Sequence, residues 1–327
     1  MREGVTLQIN LAPADLRHAG ETLAHQLRQW GGQVDEVVFS VESHRSAGRY
    51  GDDWERREGL QELLEGICDR HQEARVSTVD YSDEARDAIA REFFGGKRAP
   101  LKSHTGAPFH AYFHGLMAAR FDHVFHLDSD MLFGGGSQTW IEEAKALLAE
   151  REDVLFCSPL SGPPTPDGEI PDRVRDRAER WGGIFHGRET GPILTHAFGD
   201  VSTRVFLVDK TQLAALGPLR LRRPGLGGTL GRKSASPTNV WKLFRARLRG
   251  TPLPASAEDT LSGGMRAAGQ IRVDYLGREP GMWSLHPVAH SEDFYRELPR
   301  IIEVVQGGSM PAGQLGDYDI NDSLLVS

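Results

Sequence analysis

Short apolar runs alternate with longer amphipathic segments along the first half of the chain. The apolar runs predict β-strands at residues 5–10, 34–41, 75–79, 123–127 and 154–158. The segments between them carry apolar residues at helical spacing and predict helices at 14–30, 54–71, 83–94, 106–120 and 138–150. Strands that alternate with helices of this length are typical of a mostly parallel sheet covered on both faces. The pattern therefore predicts an α/β fold.

The pattern changes in the second half of the chain. Residues 158–168 are rich in Pro and Gly and predict a loop, 172–181 predict a charged helix, and 199–208 contain a strand that we expect in the same sheet. Residues 211–257, here called the basic segment, contain no Asp or Glu but nine Lys or Arg. Within it, 239–249 predict a short amphipathic helix. Three interpretations stay open for this helix: a lid, a contact with an anionic membrane surface, or ordinary packing on the protein body.

Composition narrows the class of protein. The 327 residues are 39% hydrophobic, enough for one large domain or two modest ones. A formal net charge of -8 argues against a nucleic-acid-binding protein. Cys68 and Cys157 lie far apart in apolar stretches, which predicts neither a disulfide framework nor a cysteine metal site. The N-terminus lacks a signal-peptide pattern and no apolar run approaches about 20 residues, so we expect a cytoplasmic protein, with membrane association through the basic segment as an option.

The strongest chemical signal is the sequence Asp128-Ser129-Asp130 directly after the predicted strand 123–127. Ligands bind at the carboxyl edge of an open parallel sheet, and two carboxylates there can hold Mg²⁺ or Mn²⁺ against a diphosphate. The same pattern also occurs in phosphohydrolases of the haloacid dehalogenase type, although these favour Thr or Val where this chain has Met131-Leu132. A plain acidic turn is the third interpretation.

A second signal is the pair Glu258-Asp259 at the start of a predicted helix that ends at Gly269. A carboxylate at a helix N-terminus is held ionised by the helix dipole and by exposed backbone amides, which suits a general base. Ordinary N-terminal capping would explain the same two residues.

Taken in order, these features resemble the inverting glycosyltransferases of family 2, which have the GT-A fold. The features are the strand-helix-strand start with Glu42 after the second strand, the helix leading into Asp128-Ser129-Asp130, the Glu258-Asp259 helix and a later histidine. The resemblance covers roughly residues 5–290. It implies one GT-A domain whose first half, 1–158, binds a nucleotide sugar. The second half, 159–327, is then the acceptor-binding and catalytic half, with the basic segment as an insertion and a C-terminal extension.

The resemblance also implies residue roles. Asp128 and Asp130 would hold Mn²⁺ or Mg²⁺ and the donor diphosphate, with a histidine beyond the base as third ligand; His286 is preferred to His290 because Pro287 restricts the backbone beside it. Asp259, beside Glu258, would deprotonate the acceptor hydroxyl. The remaining donor contacts would come from Asn10, Leu11, Ala12, Pro13, Glu42, Asp80, Lys102 and Ser129, with Glu42 accepting from a ring N–H of the base and Lys102 near the diphosphate.

Several alternatives stay open at this point. UDP is the favoured nucleotide because it is frequent in the family, and acceptors range from small natural products to cell-envelope glycans. A retaining transferase or a nucleotidyltransferase would share the metal site. A catalytically inactive nucleotide-sugar-binding protein would keep donor affinity without turnover, and a phosphohydrolase would use Asp128 and Asp130 on phosphate esters.

Overall fold

A central mixed sheet flanked by helices forms the body of the protein. The computed structural model describes residues 2–45, 53–180, 185–189, 194–221, 255–321 and 325. The strands are β1 (Val5–Leu11), β2 (Glu36–Val41), β3 (Ala74–Thr78), β4 (His123–Asp128), β5 (Leu132–Gly134), β6 (Val154–Ser161), β7 (Phe185–Glu189), β8 (Thr195–Phe198), β9 (Val205–Asp209), β10 (Ile271–Tyr275) and β11 (Trp283–Leu285). The α-helices are α1 (Leu16–Trp30), α2 (Arg57–Cys68), α3 (Asp83–Phe94), α4 (His110–Ala118), α5 (Trp140–Glu150), α6 (Asp172–Arg180), α7 (Lys210–Ala215), α8 (Ala257–Ala267) and α9 (Glu292–Gly307).

The strand order across the sheet is β3-β2-β1-β4-β9-β6-β10-β8-β7. The strands β3, β2, β1 and β4 are parallel, whereas β9 runs antiparallel to both β4 and β6. Strand β10 is parallel to β6 and antiparallel to β8, so strands from both halves of the chain share one sheet. The predicted α/β fold with a central sheet flanked by helices is confirmed, and the strand expected within 199–208 joins that sheet as β9.

The central strands form because both of their faces are buried. Every residue of β2 is buried, and in β1 the apolar side chains alternate with the buried polar residues Thr6 and Gln8. Trp30 fills one side of the sheet, with edge-to-face contacts to Phe125, Phe133 and Trp140 at ring-centroid distances of 4.6, 5.0 and 5.6 Å. This aromatic cluster fixes α1 against β4 and β5, and therefore fixes the turn between those two strands.

The C-terminal part of the chain packs beside that turn. The helix α9 buries Phe294, Leu298, Ile301 and Val305 along one face, and it contacts both α1 and β5. Strand β11 pairs with β5 because Gly134 leaves room: a Cβ atom there would lie 2.1 Å from the Trp283 ring. Neither α9 nor β11 was predicted from the sequence, and both of them bring the C-terminal extension to the end of β4.

Other differences from the predicted elements are local. The predicted helix 106–120 begins only at His110, because Lys102 forms an isolated bridge with Pro108 in the preceding loop. The short strands β5 and β8 also escaped prediction, since runs of three or four residues carry little periodicity. The predicted helix 239–249 and most of the basic segment lie outside the described residues. Within the part that is described, no helix is both long and apolar enough to cross a membrane.

Glu36 at the start of β2 gives a stability prediction. Its carboxylate, 8% exposed, accepts hydrogen bonds from the Thr6 hydroxyl, the Arg120 backbone and the Arg75 guanidinium at 2.7, 2.8 and 2.9 Å. Burial opposes ionisation, but these donors outweigh it and hold the pKa of Glu36 below its ordinary value of 4.5. We expect Glu36→Ala to lower the free energy of unfolding by about 3 kcal/mol at pH 7 in urea denaturation.

The pH dependence of that loss follows from the direction of the shift. A carboxylate with a lowered folded-state pKa stabilises the fold above its unfolded pKa, and this contribution disappears as the pH falls. The destabilisation caused by Glu36→Ala should therefore shrink below pH 4.5. Glu73 is exposed, so Glu73→Ala is the control and should change the free energy of unfolding by less than about 0.5 kcal/mol. An equal loss in both variants would contradict the prediction.

Candidate active site

Asp128 marks the carboxyl end of β4. The sheet register pairs it with Asn10 near the end of β1, and Glu42 follows the last residue of β2 at the same edge. Asp128 Oδ1 accepts a hydrogen bond from the Tyr112 hydroxyl at 3.3 Å and lies 3.7 Å from His126 Nε2. Its side chain is 27% exposed. Asn10 and Asp128, predicted from separate parts of the sequence, thus lie on adjacent strands at one edge of the sheet.

The turn after β4 is held by Gln26 of α1. Its Nε2 donates to the carbonyl oxygens of Asp128, Ser129 and Met131 at 3.1, 3.2 and 2.9 Å. The Ser129 hydroxyl lies 3.1 Å from Nε2 of His18. One buried amide therefore fixes the backbone that presents both carboxylates. Gln26 carries no local sequence signal, because it acts through contacts 102 to 105 residues away in the chain.

Asp130 lies against both candidate histidines. Its Oδ2 is 3.1 Å from His290 Nε2 and 3.4 Å from His286 Nε2, while its Oδ1 is buried without a hydrogen-bond partner in the described structure. Burial opposes ionisation of Asp130, but His286 and His290 outweigh it and hold its pKa well below the ordinary value. The side chain is therefore an ionised carboxylate with one unsatisfied oxygen.

The C-terminal segment brings the two histidines to this position. His286 directly follows β11, its backbone N–H donates to the Tyr318 carbonyl at 2.9 Å, and its ring stacks on the Tyr318 ring. Ser291 caps α9 by accepting from the Phe294 backbone at 3.0 Å, which places His290 just before the helix. His286 and His290 were predicted as alternative metal ligands, with His286 preferred. The structure brings both to Asp130.

A third carboxylate, Asp15, lies beside the same turn. Asp15 accepts a hydrogen bond from the Ala12 backbone at 2.8 Å, and burial, together with the nearby charges of Asp130 and Asp128, raises its pKa to about 7. Burial lowers the pKa of His18 to about 4, so this imidazole is neutral at pH 7. Asp15 and His18 were not among the predicted site residues, although they lie next to the predicted Pro13 in the sequence.

Arg204 is the main cationic residue that the sequence analysis missed. It directly precedes β9, and its carbonyl accepts from the Asp128 backbone N–H at 2.7 Å, so the two residues face each other across the β4–β9 pair. Burial opposes its charge, but Tyr318, Glu258, Asp130 and Asp128 raise the pKa of Arg204 above its ordinary value. A cation therefore stands among the carboxylates of both motifs. Only the pairing of β4 with β9, which no local pattern shows, places it there.

Glu258 and Asp259 diverge at the start of α8. Asp259 is exposed, and its Oδ2 accepts from the backbone N–H and hydroxyl of Ser256 at 3.2 and 2.8 Å. Ser256 in turn accepts from the Asp259 backbone at 3.0 Å, which completes a capping box. Glu258 is more buried, accepts from the Thr203 backbone at 3.4 Å and interacts electrostatically with Arg204. The two neighbouring carboxylates thus have different surroundings.

Glu42 and Lys102 are paired with each other. The Lys102 ammonium contacts Glu42 Oε2, while Glu42 Oε1 accepts from the Tyr81 hydroxyl at 2.7 Å and from the His44 backbone at 2.9 Å. The family resemblance implied instead that Glu42 contacts the nucleotide base and Lys102 the diphosphate. In the structure both side chains have protein partners, so neither faces the edge as a free charge.

The other predicted donor contacts lie along the same edge. Leu11 and Pro13 are buried, Ala12 is partly buried, and the 3-10 turn Pro13–Asp15 leads into α1. Asp80 is exposed beyond β3, where its carboxylate accepts from the Ser82 backbone at 2.7 Å. Asp80 therefore lies at the far side of this edge, three strands away from Asp128.

The donor atoms around Asp130 suit a divalent metal ion. Among the described residues, no group of three or more His, Cys, Asp or Glu side chains is already arranged to hold one. The unsatisfied Asp130 Oδ1 and the two imidazole Nε2 atoms beside Oδ2 nevertheless supply the oxygen and nitrogen donors that Mn²⁺ accepts. The residues present fit such an ion by their chemistry.

Comparisons with known proteins give only structural similarities. No protein-family model matches this chain, and no curated protein matches it. Among solved structures, GalNAc-T7 with UDP, GalNAc and Mn²⁺ is similar with a TM-score of 0.46 and 9% identity, over 87% of this chain and 44% of GalNAc-T7. This chain therefore spans less than half the length of that protein.

Two further structures show the same level of similarity. The galactosyltransferase LgtC, in its Q189E variant, has a TM-score of 0.36 and 9% identity over 90% of both chains. The mannosyltransferase PcManGT from Pyrobaculum calidifontis, in complex with GDP-Man and Mn²⁺, has a TM-score of 0.37 and 14% identity over 82% of this chain and 70% of its own. These neighbours are GT-A fold enzymes, the fold that the sequence predicts, and they do not show the inverting type. At such scores we transfer no residue role from them.

Proposed function

We propose that this protein is a metal-dependent glycosyltransferase that moves a sugar from a nucleoside-diphosphate donor, with UDP favoured, to an acceptor hydroxyl with inversion. The observation that carries the proposal is the cluster at the end of β4. Asp128 and Asp130 lie there with two histidines and Arg204, and the Glu258-Asp259 helix begins beside them. Carboxylates, imidazoles and a guanidinium together suit the binding of a metal and a diphosphate.

The position of each residue indicates its role in this reaction. Asp128, Asp130 and a histidine would hold the ion, which when bound supplies positive charge to the leaving diphosphate. Arg204 donates hydrogen bonds from its planar guanidinium to phosphate oxygens, as this group does in other phosphate sites. Asn10 and the backbone of 11–13 line the edge where the nucleoside lies.

The chemical step then needs one base. The acceptor oxygen attacks the anomeric carbon from the face opposite the diphosphate, and its proton passes to a carboxylate of the Glu258-Asp259 pair. The bond between the anomeric carbon and the phosphate oxygen breaks, and the diphosphate leaves with the electron pair. Attack from the opposite face inverts the anomeric configuration.

Calorimetry with a panel of UDP-, GDP- and dTDP-sugars, each with and without Mn²⁺, tests the proposal. We expect one nucleotide to bind in the presence of Mn²⁺ with at least about tenfold higher affinity than without it, because the ion would supply positive charge to the phosphates. Release of nucleoside diphosphate from that donor should follow in a coupled assay. Failure of every sugar nucleotide to bind, with hydrolysis of simple phosphate esters instead, would contradict the proposal and support a phosphohydrolase.

A further inference from the structure

The carboxylate of Asp259 is occupied by its own helix. It accepts two hydrogen bonds from Ser256, one from the backbone and one from the hydroxyl, and Ser256 returns one to the Asp259 backbone. This reciprocal arrangement satisfies donors that a helix N-terminus otherwise leaves unpaired. The side chain is also exposed. Asp259 therefore has a structural role that accounts for its position.

The carboxylate of Glu258 is connected to the end of β4. It accepts from the Thr203 backbone N–H at 3.4 Å, and the carbonyl of the next residue, Arg204, accepts from the Asp128 backbone N–H at 2.7 Å. The Tyr112 hydroxyl donates to Asp128, and burial together with the charges of Asp128 and Glu258 raises the pKa of Tyr112. The Thr203-Arg204 backbone thus places Glu258 on the side of α8 that faces the end of β4.

We propose that Glu258, and not Asp259, is the catalytic residue that takes the proton from the acceptor hydroxyl, while Asp259 caps α8. This inference rests on the proposed function and names the residue that performs its proton transfer. The proton moves from the acceptor oxygen to a Glu258 oxygen as that acceptor oxygen bonds to the anomeric carbon and the diphosphate departs. The product is the glycoside with Glu258 protonated, and solvent removes the proton afterwards.

The surroundings of Glu258 agree with this role. Burial raises its pKa, whereas Arg204 and the Thr203 backbone N–H act in the opposite direction. A carboxylate with a raised pKa is the stronger base, and the nearby guanidinium keeps it available in the ionised form. Asp259 has no cation in its capping box, where its partner is the neutral Ser256.

Three variants separate the two carboxylates: Glu258→Gln, Asp259→Asn and Asp259→Ala. Thermal unfolding is measured first, because it requires no substrate. Release of nucleoside diphosphate is then measured with the sugar nucleotide that binds most tightly in the UDP, GDP and dTDP panel, with water as acceptor. Calorimetry with the same donor and Mn²⁺ shows whether each variant still binds.

We expect Asp259→Ala to lower the melting temperature by about 2 °C through loss of the cap, and Glu258→Gln to leave it unchanged or raise it. Glu258→Gln should reduce the rate of diphosphate release by about 100-fold or more and change donor affinity by less than about threefold. Asp259→Asn should retain release within about fivefold. Loss of release in Asp259→Asn with retention in Glu258→Gln would overturn the assignment.

The remaining outcomes are also decisive. If the wild-type chain binds no sugar nucleotide, the proposed function fails, whereas the melting temperatures still report on the cap. If the wild-type chain binds a donor and Glu258→Gln releases diphosphate as fast as the wild type does, the proposed function stands and the role assigned to Glu258 is wrong. If Glu258→Gln and Asp259→Asn both lose diphosphate release while they bind the donor normally, the division of roles between the two carboxylates is wrong.

Discussion

Replacing Asp130 by Ala should abolish Mn²⁺-dependent binding of the sugar nucleotide and reduce its turnover by more than about 100-fold. Residues that only orient metal ligands already contribute about 10- to 100-fold to affinity or activity, and Asp130 is proposed to be a ligand itself. Removing it also leaves His286 and His290 without the carboxylate that both contact. Calorimetry with Mn²⁺ alone and then with the donor separates loss of the ion from loss of the nucleotide.

The control for this variant lies at the opposite end of the same strand. Asp122 precedes β4 and accepts a hydrogen bond from the Arg2 backbone at 2.7 Å, far from the carboxyl edge. Asp122→Ala should leave both Mn²⁺ and donor affinity within about twofold of wild type. If Asp130→Ala binds Mn²⁺ as tightly as Asp122→Ala does, Asp130 is not a ligand.

The sequence predicts the sheet well where parallel strands alternate with helices along the chain. Strands β1, β2, β3 and β4 are parallel and joined by amphipathic segments, so their periodicity shows the fold class. The antiparallel β9 and the short β11 do not follow this rule. Their places depend on pairing with β4, β5 and β6 at large sequence separations, which no local pattern records.

The site residues likewise differ in how far the sequence predicts them. Asp128, Asp130 and Glu258-Asp259 carry short motifs and were predicted from them. Whether a predicted carboxylate faces the end of β4 depends on its hydrogen bonds. The capping box explains why the Asp259 carboxylate binds Ser256 instead. Arg204 has no motif of its own, and the register of β9 alone sets it opposite Asp128.

Lys102 shows the reverse case. Its position ahead of α4 indicated a free cation for the diphosphate, yet the structure pairs it with Glu42, whose second oxygen already accepts from Tyr81. A buried carboxylate needs a counter-charge, and the nearest available lysine supplies it. Because of this pairing, Arg204 is the better candidate for the phosphate-binding cation, and its removal is the next largest effect that we expect.

Arg204→Gln should weaken binding of the nucleoside diphosphate by about 10- to 100-fold, which corresponds to the 1.5–3 kcal/mol of a charge-assisted hydrogen bond. In the absence of nucleotide, the same variant should bind Mn²⁺ more tightly than wild type. Arg204 interacts with Asp128 and Asp130, so its positive charge opposes a second cation at those carboxylates. The nucleoside diphosphate affinity of Arg204→Lys should lie between those of the wild type and Arg204→Gln, since the ammonium keeps the charge but lacks the planar arrangement of donors.

The opposite signs of these two effects identify the role of Arg204. If Arg204 only balanced the carboxylates at the end of β4, its removal would also raise Mn²⁺ affinity, but nucleoside diphosphate affinity in the presence of Mn²⁺ would then rise or stay constant. If Arg204 binds phosphate, its removal must lower the nucleoside diphosphate affinity. The exposed Arg91→Gln of α3 controls for the change in net charge and should alter neither affinity. Calorimetric titration of UDP, GDP and dTDP into each variant, with and without Mn²⁺, therefore decides between a phosphate ligand and a counter-charge.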